Sequence, residues 1–178
     1  MIDRRYEDPA PILRRLGAAG DSLELLYNIL TPARVAALAA DARLARLRTL
    51  VLHDNRLGDP GLTALLASPH LAVERLAVRR NDIRGDGLHA LAAWPGLASV
   101  RALDLADNPL GSGGIRAFVA SPYLGSLRIL GLSYVGGDLQ PLLQLPILSQ
   151  LSELDLSGNE PTDLTLALRD VLGPRLKL

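Results

Sequence analysis

The sequence contains no cysteine and very few aromatic residues. Without cysteine the chain cannot form disulfides, thiolate metal sites, iron–sulfur clusters or a thiol nucleophile. Aromatic residues make up 3% of the chain, whereas hydrophobic residues make up 48%, so the core must be mainly aliphatic. A core dominated by leucine and alanine is typical of stacked repeats, in which each layer reuses one small set of side chains.

The chain also lacks an excess of either charge, because 19 basic residues balance 19 acidic ones. A protein that binds a nucleic-acid duplex usually carries a positive surplus that displaces counterions. We therefore predict no nucleic-acid partner. All the basic residues except Lys177 are arginines, a bias typical of GC-rich coding sequences, which favours a bacterial source.

Long hydrophobic runs are absent as well. No apolar stretch reaches the roughly 18 residues that a membrane-spanning helix needs. Residues 1–9 carry several charges and no apolar segment follows them, which is not the pattern of a secretory signal. These features predict a soluble, cytoplasmic protein that has no membrane partner and no disulfide chemistry.

A repeated pattern fills most of the chain. Residues 47–57 read L-x-x-L-x-L-x-x-N-x-L. The same frame begins again at residues 73, 100, 127 and 151, and a weaker copy begins at residue 20. The ninth position of the copies forms a column spaced by 27, 26, 27, 27 and 24 residues, namely Asn28, Asn55, Asn81, Asn108, Val135 and Asn159. Six copies in phase make the pattern specific.

The pattern resembles the leucine-rich repeat. The repeat length and the G-D-x-G-x-x-A-L-like halves at residues 58–65 and 85–91 resemble the ribonuclease-inhibitor type, although cysteine is absent and the repeat is slightly shorter. The resemblance covers residues 20–172. It implies an α/β solenoid of about six repeats, a right-handed arc with a parallel sheet on the concave face and helices on the convex face.

The residues explain this shape. The two leucines of L-x-L point to one face of a strand and fill the interior, and the asparagine can satisfy backbone groups where the chain turns. A helix is predicted after each strand, with helix starts at Thr31-Pro32, Asp59-Pro60 and Asp86. We expect the helices to be ended by four prolines, Pro69, Pro95, Pro122 and Pro146.

Three segments are predicted. Residues 1–19 form an N-terminal helical cap, whose helix over residues 9–19 is built on Ile12, Leu13 and Leu16. Residues 20–172 form the solenoid. Residues 173–178 restart the L-x-L pattern, and form either a tail before further chain or a short edge strand.

Motifs for chemistry are weak. The three histidines, His53, His70 and His89, belong to different layers, so neither a metal site nor a cofactor is predicted. Residues 131–134 partly resemble a nucleophile elbow, and residues 111–114 form a glycine-rich turn. Both segments are explained by the repeat itself. The chain is therefore predicted not to be an enzyme.

The concave face of the sheet is the predicted binding surface. Small side chains there leave a shallow floor that favours protein recognition over a deep small-molecule pocket. The predicted contact residues are His53, Asp54, Arg79, Arg80, Asp104, Asp107, Tyr134 and Asp155.

The leading hypothesis is a non-catalytic protein–protein interaction module, and the resemblance implies a role as an inhibitor or regulator. One alternative is a GTPase-activating regulator of a small GTPase, because Ran GTPase-activating proteins share this repeat type. Another is a structural scaffold or an oligomer formed through the C-terminal edge, although a monomer is favoured. The sequence leaves the identity of the partner protein open.

Overall fold

The computed structural model describes residues 8–27, 30–160 and 163–178. Within them, seven short strands form one parallel sheet whose spatial order follows the chain. Strands about 4.8 Å apart make this sheet roughly 29 Å wide. The strands are β1 (Ser22–Glu24), β2 (Thr49–Val51), β3 (Arg75–Ala77), β4 (Ala102–Asp104), β5 (Ile129–Gly131), β6 (Glu153–Asp155) and β7 (Leu176–Lys177).

The first leucine of each L-x-L motif forms a continuous row across the sheet. The strand register pairs these residues in the order Leu23, Leu50, Leu76, Leu103, Leu130, Leu154 and Leu176. The five central residues of the row are 0 to 1% exposed, so each layer shields the next from water. This arrangement confirms the predicted α/β solenoid.

Helices pack against the other side of this core. They are α1 (Ala10–Ala18), α2 (Pro32–Ala40), α3 (Gly58–Leu66), α4 (Gly85–Ala93), α5 (Gly111–Val119) and α6 (Asp163–Leu172). The fifth repeat differs from the prediction, because a short 3₁₀ helix, Gln140–Gln144, follows β5 where an α-helix was expected. The spacing of 24 residues explains this difference, since a repeat three residues shorter lacks the length for a full helix. None of the helices in the described ranges combines the length and apolar character needed to cross a membrane.

The predicted helix starts are only partly correct. Thr31 does cap α2, because its side chain accepts a hydrogen bond from the Arg34 amide. Asp59 and Asp86 are not caps, since α3 and α4 begin at the preceding glycines and include both aspartates. Asp59 instead accepts a hydrogen bond from the Arg84 amide at 2.6 Å, and so connects two successive repeats.

The asparagine column acts as predicted and also links neighbouring layers. The Asn81 amide donates to the carbonyls of Leu52, Val78 and Arg79, and its side-chain oxygen accepts from the backbone amides of Asn55 and Leu57. Asn108 repeats the pattern one layer later. Asn28 lies outside the described residues.

Val135 interrupts this column. It is buried, but its side chain has no oxygen that could accept hydrogen bonds from the backbone amides of the preceding repeat. The Leu110 amide donates instead to the Asn108 carbonyl, at 2.8 Å. Asn159 resumes the pattern by accepting from the amides of Val135 and Gly136.

Both ends of the solenoid are partly covered. At the N-terminal end, α1 buries Ile12 and Leu16 in the same core as the repeats, while Leu13 is half-buried. At the C-terminal end, β7 pairs in parallel with β6, so residues 176 and 177 form the edge strand that was one of the two expectations for this segment. The sheet therefore contains one strand more than the six predicted. The boundaries at residues 19 and 172 stay predictions.

Two buried serines connect successive convex elements. The Ser68 hydroxyl donates to the Ala39 carbonyl at the end of α2, and the Ser121 hydroxyl donates to the Ala92 carbonyl in the last turn of α4, at 2.6 Å. Each hydroxyl also accepts a hydrogen bond from the backbone amide two residues later in the chain. Each serine directly precedes a proline in an S-P-x-L segment. The two prolines that were expected to end helices therefore also indicate where the serine contacts between repeats lie.

We expect Ser121→Ala to lower the free energy of unfolding by about 1 to 2 kcal/mol, because the Ala92 carbonyl would lose its donor in a buried position. Chemical unfolding followed by circular dichroism measures this change. Ser126→Ala is the matched control, since Ser126 lies only five residues later and is half-buried. Equal effects of the two substitutions would show that the Ser121 contact does not stabilise the stacking of the repeats.

Candidate functional site

The predicted concave residues belong to three side-chain columns that run across the strands. Asp104 and Asp155 belong to the column between the strand leucines and flank Gly131 in the register. His53 and Arg79 belong to the next column. The other four predicted residues, Asp54, Arg80, Asp107 and Tyr134, lie just beyond the strands, at the turn. The structure therefore divides the predicted site into a sheet part and a rim at the strand ends.

The rim has a special backbone conformation. Asp54, Arg80, Asp107 and Tyr134 all have φ between 53° and 58°, in the left-handed region. Side chains other than glycine, asparagine and aspartate rarely adopt it. Their backbone amides donate across to the next repeat, as the Asp107 amide does to the Ser133 carbonyl at 2.8 Å. The turn thus fixes the backbone positions from which these four side chains project.

Four of the predicted residues form one ion-pair chain. Arg79 donates to the Asp107 carboxylate at 2.6 Å. Arg80 lies 3.5 Å from Asp54 and 4.0 Å from Asp107. Arg79 keeps 42% of its side chain exposed, whereas Asp107 keeps only 19%. The charges at this part of the rim are therefore largely balanced within the protein, and they present a fixed hydrogen-bonding surface.

A shallow depression of about 260 Å³ lies on the sheet beside this rim. Its floor contains Ala106, Gly131 and Ser133, which are among the small residues expected there, and also Ala102. Arg75 on β3 and Arg79 just after that strand border it on one side, and Glu153 and Asp155 on β6 border it on the other. Asp104 stands within it, with one carboxylate oxygen held by the Ala106 amide at 3.0 Å.

Sequence reasoning missed one of the outward columns. Arg75, Ile129 and Glu153 precede the first strand leucine, and all three border the depression. Ile129 is an exposed aliphatic residue on the concave face, with 37% of its surface accessible. The alternation of a strand provides the signal, because residues on both sides of a buried leucine point to the opposite face.

A basic side chain, that of Lys177, lies next to the acidic end of the depression. Lys177 on the edge strand lies 2.6 Å from the Glu153 carboxylate. Its hydrogen bond to Glu153 and the nearby charge of Asp155 raise the pKa of Lys177 above its ordinary value. Lys177 therefore stays protonated and offsets one of the negative charges there.

A larger cleft of about 760 Å³ lies at the C-terminal end of the solenoid. Its lining includes Tyr134, Leu139, Leu156, Gly158 and Leu164. It lies between the short fifth repeat and α6, where the 3₁₀ helix leaves space. Tyr134, 60% exposed, therefore faces this cleft as well as the concave rim. The sequence did not predict this cleft, which lies at the end of the solenoid and not on the sheet.

The histidines are separated as the sequence predicts. His53 follows β2, His70 lies in the turn after α3, and His89 lies in α4 with its ring nitrogen 2.7 Å from the Gly85 carbonyl. In the described part of the chain, no three His, Asp or Glu side chains come together as possible metal ligands.

One of three comparisons with known proteins, that with family models, agrees with this architecture. The leucine-rich-repeat family model matches residues 46–66 and 96–119. No curated protein matches the sequence significantly. Among the solved structures that match is the crystal structure of the TLR13–ssRNA13 complex, with 22% identity and a TM-score of 0.48 over 76% of this chain and 18% of that chain. The parallel sheet, the layered leucine core and the two matched repeats identify the fold as an α/β leucine-rich-repeat solenoid.

Proposed function

We propose that this protein is a non-catalytic interaction module that binds a partner protein on its concave sheet. The main support is the depression on that face, where small side chains form the floor and charged side chains surround it. Parallel strands hold these side chains on a rigid layer, so the surface is formed before the partner arrives. Surfaces of this mixed character favour protein recognition because they combine specificity with contact area.

The proposal extends to regulation. A partner lying across the concave sheet would have the contacted part of its own surface covered. We propose that the protein acts in this way as an inhibitor or regulator, in keeping with the resemblance of its repeats to the ribonuclease-inhibitor type. We also propose a cytoplasmic location and a bacterial source, the latter on the grounds of the arginine-rich composition.

A four-residue concave variant tests the proposal. It combines Arg79→Ala with substitutions by asparagine at Arg80, Asp107 and Tyr134, because asparagine tolerates the left-handed conformation of these three positions. We expect partner proteins captured from a cell extract to fall at least tenfold relative to the unchanged protein. Quantitative mass spectrometry of the captured material measures this loss.

A convex variant is the matched control. It carries four substitutions at exposed helix positions, His89→Ala, Arg116→Ala, Leu166→Ser and Arg169→Ala. Thermal unfolding must show that both variants remain folded. If the convex variant loses the captured proteins and the concave variant keeps them, binding occurs on the helical face and the proposal is wrong.

A further inference from the structure

The concave depression has opposite charges at its two ends. Its β3 side carries Arg75 and Arg79, whereas β4 and β6 contribute Asp104, Glu153 and Asp155. Within the described residues, Asp107 pairs with Arg79, but Arg75 is exposed and has no ion-pair partner. One positive charge therefore remains unbalanced at the β3 end.

The other end has an excess of negative charge. Lys177 pairs with Glu153 and lies near Asp155, whereas Asp104 is three strands away from it. Two negative charges remain after this pairing. Gly131 lies between Asp104 and Asp155 in the register and has no side chain to fill the space between them. A cationic group above Gly131 would approach both carboxylates.

An exposed apolar side chain lies between the two charged ends. Ile129 belongs to β5, next to the alanine and glycine floor of the depression. Across the strands, the depression therefore presents a positive charge on β3, the Asp104 carboxylate on β4, an apolar side chain on β5 and the Asp155 carboxylate on β6. Arg75 and Ile129 are two strand spacings apart, and Gly131 follows Ile129 by two residues on β5, so Arg75 and Gly131 lie about 12 Å apart along a diagonal of the sheet.

We propose that the partner presents an extended segment with an acidic residue, an apolar residue and a basic residue at alternate positions. This inference rests on the concave binding face proposed above. In an extended chain, residues i, i+2 and i+4 share one face and extend over about 13 Å. The acidic residue lies at Arg75, the apolar residue contacts Ile129, and the basic residue lies above Gly131 between Asp104 and Asp155. The charge pattern of the depression thus fixes the orientation of the segment on the sheet.

A defined peptide, acetyl-Asp-Ser-Leu-Ser-Arg-amide, serves as the probe. Two forms carry a nitroxide, one at the acidic end and one at the basic end, and each is titrated into isotope-labelled protein followed by NMR. We expect the acidic-end label to broaden amide signals of β3 most and the basic-end label those of β5 and β6. This readout does not depend on the direction in which the peptide chain runs.

Two protein variants and a neutral peptide make the test specific. Arg75→Glu is expected to weaken binding roughly fivefold or more, because it places like charges together. Arg116→Glu, the same change on the exposed face of α5, is expected to leave the affinity unchanged. The neutral peptide acetyl-Asn-Ser-Leu-Ser-Gln-amide should bind more weakly than the charged one, and its affinity should not depend on salt.

The outcomes separate this inference from the proposed function. If the peptide binds the concave sheet but both labels broaden β3 and β6 equally, the orientation is wrong while the binding face stands. If the peptide binds the convex helices, both are wrong. If no binding occurs at millimolar peptide, or if Arg75→Glu behaves like Arg116→Glu, the proposed segment chemistry is wrong.

Discussion

Replacing Asn81 with alanine is expected to lower the free energy of unfolding by about 4 kcal/mol, because several buried backbone groups would lose their partners at once. The Asn81 side chain makes five hydrogen bonds and is 0% exposed. Each bond joins its repeat to the preceding repeat or fixes its own turn. Urea unfolding, followed by circular dichroism, measures the effect.

Asn159→Ala is the matched control. Asn159 makes four equivalent bonds, but it is half-buried near the C-terminal end, where water can replace the lost side chain. We expect a loss of about 1 to 2 kcal/mol. Equal losses at residues 81 and 159 would show that burial does not determine the cost, and that the asparagine column contributes only through local turn formation.

Replacing Leu103 with alanine is expected to cost about 3 to 4 kcal/mol, since the lost contacts are accompanied by a cavity that the rigid layers cannot close. Leu103 is 1% exposed in the central strand and lies between Leu76 and Leu130 of the adjoining layers. Both neighbours keep the distance set by strand pairing, so the space remains empty.

Leu176→Ala, in the same row but in the edge strand, is the control for this change. Leu176 is only half-buried and has a neighbour on one side, Leu154. We expect a loss of about 1 kcal/mol, in proportion to the smaller apolar area that it buries. A cost at residue 176 as large as that at residue 103 would contradict a core built by stacking.

The repeat period predicted the sheet and its core, because a leucine at a fixed phase can be shielded only by its counterpart in the next layer. It also predicted the role of the asparagines and the concave placement of Asp104 and Asp155. The start of α3 was predicted less well. Asp59-Pro60 has the chemistry of a cap, but Asp59 lies in the first turn of the helix and accepts a hydrogen bond from the Arg84 amide of the next repeat.

The candidate site was also predicted only in part from the sequence. The sequence placed Arg79 and Asp107 on one surface, but it could not show that they pair with each other at 2.6 Å. It also provided no reason to expect Arg75 and Asp155 in one site, because they lie 80 positions apart, yet both border the same depression. Such contacts depend on which residues the strand register brings together, and on the direction in which each side chain leaves its turn.

By itself, then, the sequence determined the period of the layers, the aliphatic nature of the core and the face on which each strand residue lies, since all three follow from local spacing. The tertiary structure decided the left-handed rim, the ion-pair chain along it, the opposite charges at the two ends of the depression, and the cleft beside the short fifth repeat. These features arise between repeats, where distances are set by packing and hydrogen bonding across layers and not by the order of residues within one.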